Sequence, residues 1–198
     1  YFLLVILIHT AYSLVTSHFR GLLRSERASR IIYRTGSVLF WLLAIKVFAD
    51  GANLEGMLDM HDNGNVQGFT TNPSLMKAGG VTDYRAFAKT VLEHITDVSV
   101  SFEVFADDEA GMEAEARAIA TWADNVYVKI PALNTKGEST AALVKRLSAD
   151  GIKVNVTTIF TPEQVDEFVD AVSAETPSIL SIFAGRIADT GVDPLPLM

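Results

Sequence analysis

From residue 98 onward, short apolar runs return about every 26 residues, the length of one strand, one helix and two loops. The runs are V-S-V-S-F-E-V-F-A (98–106), N-V-Y-V-K-I-P (125–131), I-K-V-N-V-T-T-I-F (152–160) and S-I-L-S-I-F-A-G (178–185). Two earlier runs have the same texture: I-K-V-F-A-D (45–50) and Q-G-F-T-T-N (67–72). A crossover of this length returns the chain to the same end of a sheet, so the strands are expected to pair in parallel in an α/β fold. Six such strands fit an open doubly wound sheet or an incomplete (β/α)8 barrel. No G-x-G-x-x-G follows a strand and no G-K-[ST] follows a glycine loop, which weighs against dinucleotide and P-loop sites.

The intervening segments carry helix signals. T-P-E-Q at 161–164 offers Thr161 as N-cap, Pro162 at the first helical position and Gln164 as capping-box partner. Val165, Phe168, Val169 and Val172 then share one helical face. Over 83–94, Phe87, Val91 and Leu92 form one stripe, and the segment 107–122 gathers acids near its start, where the helix dipole favours them. D-M-H-D-N-G-N (59–65) has the composition of a calcium loop but the wrong spacing and no closing glutamate, so it reads as a turn.

Charge divides the chain at Ala44. The net charge is −8, yet residues 1–44 hold five arginines against one acid, a balance of +4 that leaves −12 for the remainder. An acidic body argues against nucleic acid as a partner. Residues 1–44 run apolar, basic, apolar, the order that the positive-inside rule predicts beside a membrane helix. They read as a short hydrophobic helical segment, a membrane-helix remnant through which the protein would associate with a bilayer; an amphipathic surface helix between two core segments is the alternative. Residues 45–198 form the barrel-like unit. The absence of cysteine excludes thiolate zinc sites and a cysteine nucleophile and fits a reducing, cytoplasmic setting for that unit. His9, His18, His61 and His94 are scattered without ligand spacing, so no metal is expected.

Polar residues gather where the strands end. Asp50 closes the first run and Asn72 the second; Glu103 interrupts the third and Lys129 the fourth. Asn155 and Thr157, two apart, face one side of the fifth; Ser181 lies in the sixth, with Arg186 just beyond. Taken singly, Asp50 and Asn72 read as helix caps or turn residues, Ser181 as filler and Arg186 as a surface charge. Lys129 is the anomaly, because an ammonium within a buried strand costs several kcal/mol in desolvation. A structural ion pair with Glu103 is one explanation. The other is Schiff-base chemistry, in which burial frees the amine to attack a carbonyl and the iminium then draws electrons from a neighbouring C–C bond.

The stretches F-A-D-G-A-N (48–53), G-F-T-T-N-P-S-L-M (68–76), S-F-E-V-F-A-D (101–107), V-Y-V-K-I-P (126–131), V-N-V-T (154–157) and F-A-G-R-I-A-D-T-G-V-D-P (183–194) resemble the transaldolase family in order and spacing. The resemblance implies a (β/α)8 barrel of which about six strands are present. It implies transfer of a dihydroxyacetone unit between sugar phosphates in the pentose phosphate pathway, without a cofactor. It assigns Lys129 as nucleophile, Asp50 as general acid/base, and Glu103 with Thr157 as holders of a proton-shuttling water. Asn72 and Asn155 would bind the dihydroxyacetone hydroxyls, Ser181 would line the site and Arg186 would bind phosphate. Glutamate at 103, where related fructose-6-phosphate aldolases tend to carry glutamine, favours transferase over an aldolase-like lyase. Oligomerisation is left open.

Three features depart from the family pattern. Ile182 stands where proline is usual. The sequence stops soon after G-V-D-P, short of two further strands and a second phosphate-binding arginine. Residues 1–44 instead resemble the end of lysine-exporter-type amino-acid efflux proteins. An unpaired barrel edge leads to the expectation that this chain alone is poorly stable and weakly active or inactive. A non-catalytic unit fused to an exporter remnant is the contrasting reading.

Overall fold

The computed structural model describes residues 48–64 and 66–194. Residues 1–44, with the expectations of a membrane helix and an exporter-like origin, lie outside the described residues. Among the described residues no helix is long and apolar enough to cross a membrane.

Six parallel strands follow one another in sheet order: β1 (Phe48–Asp50), β2 (Gly68–Thr70), β3 (Ser99–Glu103), β4 (Val126–Pro131), β5 (Val154–Ile159) and β6 (Ser178–Ile182). Each expected run contains its strand, though the strand occupies only part of it. Strands of one sheet in consecutive order, each joined to the next by a helical crossover, distinguish the curled barrel wall from the doubly wound sheet, whose order reverses at a switch point. The fold is an incomplete (β/α) barrel.

The helices are α1 (Leu54–Asp62), α2 (Pro73–Ala78), α3 (Tyr84–His94), α4 (Glu109–Ile119), α5 (Ala141–Ala149), α6 (Pro162–Ala171) and α7 (Ala184–Asp189). Their starts follow the sequence signals. Asn53, Asn72, Asp83 and Asp108 each accept a backbone N–H with the side chain, and α6 has both halves of the Thr161–Gln164 capping box. Two expectations need correction. The segment 59–65 is not all turn: α1 runs through Asp62, and the reversal is made at Asn63 and Gly64, whose φ of 66° suits glycine. In α6, Phe168 is buried but Val169 is 55% exposed; Ala171 completes the inner face instead.

Strand alternation sorts the residues into two faces. Phe69, Val100, Phe102, Val126, Val128, Ile130, Val154 and Val156 point toward the helices and join a core with Met57, Val91, Met112, Leu143, Leu147 and Phe168. Each such side chain contributes about 1.5–3 kcal/mol by leaving water. The residues between them belong to the opposite, concave face: Ser99, Ser101 and Glu103 on β3, Tyr127 and Lys129 on β4, Asn155 and Thr157 on β5. Tyr127, which the sequence groups with the buried valines, shares the face of Lys129 and stays outside the apolar core.

Candidate active site

Lys129 lies in a row set by strand register. Its Cα pairs with Glu103 on β3 and Asn155 on β5, so three polar residues stand side by side on the concave face. Lys129 is 6% exposed. Its Nζ is 3.4 Å from Glu103 Oε2 and donates to the carbonyl of Thr71 at 3.3 Å. The buried cation therefore has a counter-ion and an acceptor, which offset its desolvation. Burial raises the Glu103 carboxyl above the usual glutamate range; the Lys129 ammonium opposes that shift and the negative charge of Asp50 adds to it.

Next to this pair runs a chain of neutral hydrogen bonds. Ser181 Oγ donates to Asn155 Oδ1 at 2.8 Å, and Asn155 Nδ2 donates to Ser101 Oγ at 3.0 Å. Ser101 and Asn155 sit on strands two apart, about 10 Å in a flat sheet, so this contact depends on the curl of the wall. Thr157 Oγ1 is buried without a hydrogen-bond partner. A hydroxyl left so in the interior costs about 1–3 kcal/mol and marks a place suited to a polar guest. Beside it Thr158 adopts φ 59°, a strained conformation for a β-branched residue, at the point where the β5–β6 register shifts. Its hydroxyl donates to the Thr157 carbonyl at 2.7 Å.

The other expected residues stand differently. Asp50, at the end of β1, is exposed and accepts a hydrogen bond from Thr70 Oγ1. Asn72 serves as the N-cap of α2, its Oδ1 accepting from Leu75 N–H at 2.8 Å. Its cap role is thus real, and its amide NH2 is the end that can meet another group. Arg186 is not drawn into the row. Its side chain is 76% exposed on α7, 3.8 Å from Asp189, beside an open hollow of about 400 Å³ lined also by Phe183 and Gly185.

Sequence reasoning missed four contributors: Thr70, Thr71, Ser101 and Tyr84. Ser101 was within reach, since it is two residues before Glu103 and so on the same face. Thr70 and Thr71 occur in a quoted motif without a role. Tyr84 gave no signal, for it opens a helix and meets β3 only through the fold. Its hydroxyl accepts from Glu103 N–H at 2.8 Å and lies 3.1 Å from Thr71 Oγ1.

The same residues support a kinship. Residues 47–196 match the model of the transaldolase/fructose-6-phosphate aldolase family. A probable transaldolase of Streptococcus equi subsp. zooepidemicus is 41% identical over 154 residues, covering 78% of this chain and 67% of that relative. Probable transaldolases of Dehalococcoides mccartyi and Methanococcus maripaludis are 34% and 42% identical over the same length, each again across 78% of this chain and 68% and 67% of theirs. With six strands in barrel order and a buried lysine–glutamate pair on the concave wall, the matched region and the described fold coincide, and the chain belongs to the transaldolase/fructose-6-phosphate aldolase family, enzymes that act on sugar phosphates.

Proposed function

We propose that this chain carries the chemistry of a transaldolase, moving a dihydroxyacetone unit from a ketose phosphate to an aldose phosphate through a Schiff base on Lys129. The observation that carries the reading is the buried Lys129 amine beside the Glu103 carboxyl, 3.4 Å away, on the face that also holds the unpartnered hydroxyl of Thr157.

The amine attacks the ketose C2, and loss of water from the carbinolamine gives the iminium. Glu103, whose burial lets it hold a proton above the ordinary glutamate range, and Thr157 bind that water and relay its protons. Asp50 takes the proton of the C4 hydroxyl; the C3–C4 bond breaks, its electron pair passes into the iminium to form an enamine, and the aldose phosphate leaves. In the second half C3 attacks the acceptor aldehyde, the new alkoxide takes its proton from Asp50, and hydrolysis frees Lys129. Asn155, held by Ser101 and Ser181, and the amide of Asn72 bind the hydroxyls of the transferred unit. Arg186, exposed and only loosely paired with Asp189, binds the substrate phosphate as a bidentate donor. This chemistry belongs to carbohydrate metabolism, in the exchange reactions of the pentose phosphate pathway.

Borohydride reduction in the presence of fructose 6-phosphate, followed by peptide mass mapping, tests the reading. The expected adduct is a reduced dihydroxyacetone unit on Lys129. An adduct on another residue, or none in a folded sample, overturns it. Product analysis with and without an acceptor aldose phosphate separates transfer from release of free dihydroxyacetone.

A further inference from the structure

The end of β3 poses a hydrogen-bonding problem. Glu103 N–H and C=O face β2, the side on which the Ser101 carbonyl already accepts from Thr71 N–H at 2.9 Å. Continued parallel pairing would give Glu103 N–H the Thr71 carbonyl as its acceptor. The chain turns away there because Asn72 caps α2, and the Thr71 carbonyl accepts from Lys129 instead. A buried backbone donor next to the reacting pair would be left without a partner.

The phenol of Tyr84 fills that position. Its oxygen accepts from Glu103 N–H at 2.8 Å and its hydroxyl reaches the Glu103 carbonyl at 3.2 Å. It also lies 3.1 Å from Thr71 Oγ1. One side-chain oxygen thus substitutes for the missing strand, and it meets the two residues that contact the Lys129 amine. The ring is fixed independently, edge-on to Phe102, Phe105 and Trp122 with centroids 4.7–5.8 Å apart.

We propose that Tyr84 is a positioning residue: its hydroxyl holds the backbone of Glu103 and Thr71 so that the Glu103 carboxyl stays beside the Lys129 amine. This rests on the Schiff-base reading for its consequence in catalysis, but the geometric claim can be tested without it. Tyr84→Phe keeps the aromatic contacts and removes only the hydroxyl. The expected results are loss of amide-exchange protection at Glu103, a fall in the NMR titration midpoint of its carboxyl toward ordinary glutamate as it moves to solvent, and about tenfold slower borohydride trapping with little change in half-saturation by fructose 6-phosphate.

In the unaltered protein, Glu103 N–H should exchange as slowly as Phe102 and Val104; fast exchange there overturns the proposal even if the variant fails to fold. A folded Tyr84→Phe protein with an unmoved Glu103 titration overturns it too. If the unaltered protein forms no adduct while Glu103 titration responds to the variant, the Schiff-base reading fails and the positioning role of Tyr84 stands.

Discussion

The two faces of the sheet obey opposite rules although they are made by the same strands. On the convex face Val100, Phe102, Val128, Ile130, Val154 and Val156 join the apolar core formed with the helices. Their contribution is additive burial, tolerant of exchange if volume is kept. On the concave face Lys129 pairs with Glu103 and Asn155 with Ser101 through bonds of fixed geometry, and the Thr157 hydroxyl is left over. Buried polar groups need their partners, so the loss of one strands another. The division teaches where each class of substitution should act: convex changes on folding, concave changes on chemistry.

The sharpest break between the faces is Lys129→Ala. It should abolish reductive trapping with fructose 6-phosphate and lower turnover by at least about 10⁴-fold, as removal of a covalent nucleophile does elsewhere. Mass mapping and acceptor-dependent turnover report it; a variant that retained turnover would remove Lys129 from the mechanism. The convex counterpart is Ile130→Ala, which should cost about 2–5 kcal/mol in urea unfolding through the cavity it leaves. Trapping per folded molecule should hardly change. A large loss of trapping in folded Ile130→Ala protein would mean that the two faces are mechanically coupled through β4.

The strands were readable because convex positions are strongly apolar and β-branched; alternation did the rest. Position within the wall was readable too, since Glu103, Lys129 and Asn155 each stand at corresponding points of successive runs. Contacts that arise only when the wall curls were not. Ser101 meets Asn155 across an intervening strand, and Tyr84 reaches β3 from a helix, so neither relation has a local signature. The strain at Thr158 was equally invisible, because T-T-I-F reads as an ordinary strand. Arg186 shows the reverse: its motif is legible, yet its side chain stands in solvent rather than in the row.

Glu103 sharpens the comparison through pH. Burial raises its carboxyl above the ordinary glutamate range, so the folded chain binds more protons there than the unfolded chain. By linkage, this group's contribution to stability falls as pH rises from the ordinary glutamate value through the raised folded value, and is constant beyond it. Glu103→Gln removes that dependence. Urea unfolding of both proteins across this window should show their stability difference shifting in favour of the variant as pH rises. A difference constant with pH would mean that Glu103 titrates as if exposed. Trapping should slow in the same variant, because the amide cannot accept the protons that the carboxylate is proposed to relay.

The smallest effect on folding is expected where one residue serves both purposes. Asn72 caps α2 through Oδ1, and its amide NH2 is the proposed partner of a substrate hydroxyl. Asn72→Ala should remove both functions and cost about 1 kcal/mol from the cap alone. Asn72→Asp retains an oxygen for Leu75 N–H, and aspartate caps as well as asparagine, so stability should move by less than about 0.5 kcal/mol. It presents no N–H donor, and the trapping reaction should need a higher fructose 6-phosphate concentration for half-saturation. Equal half-saturation in Asn72→Asp and the unaltered protein would reduce Asn72 to a helix cap, and would move it out of the polar face's chemistry into the scaffold that the convex face defines.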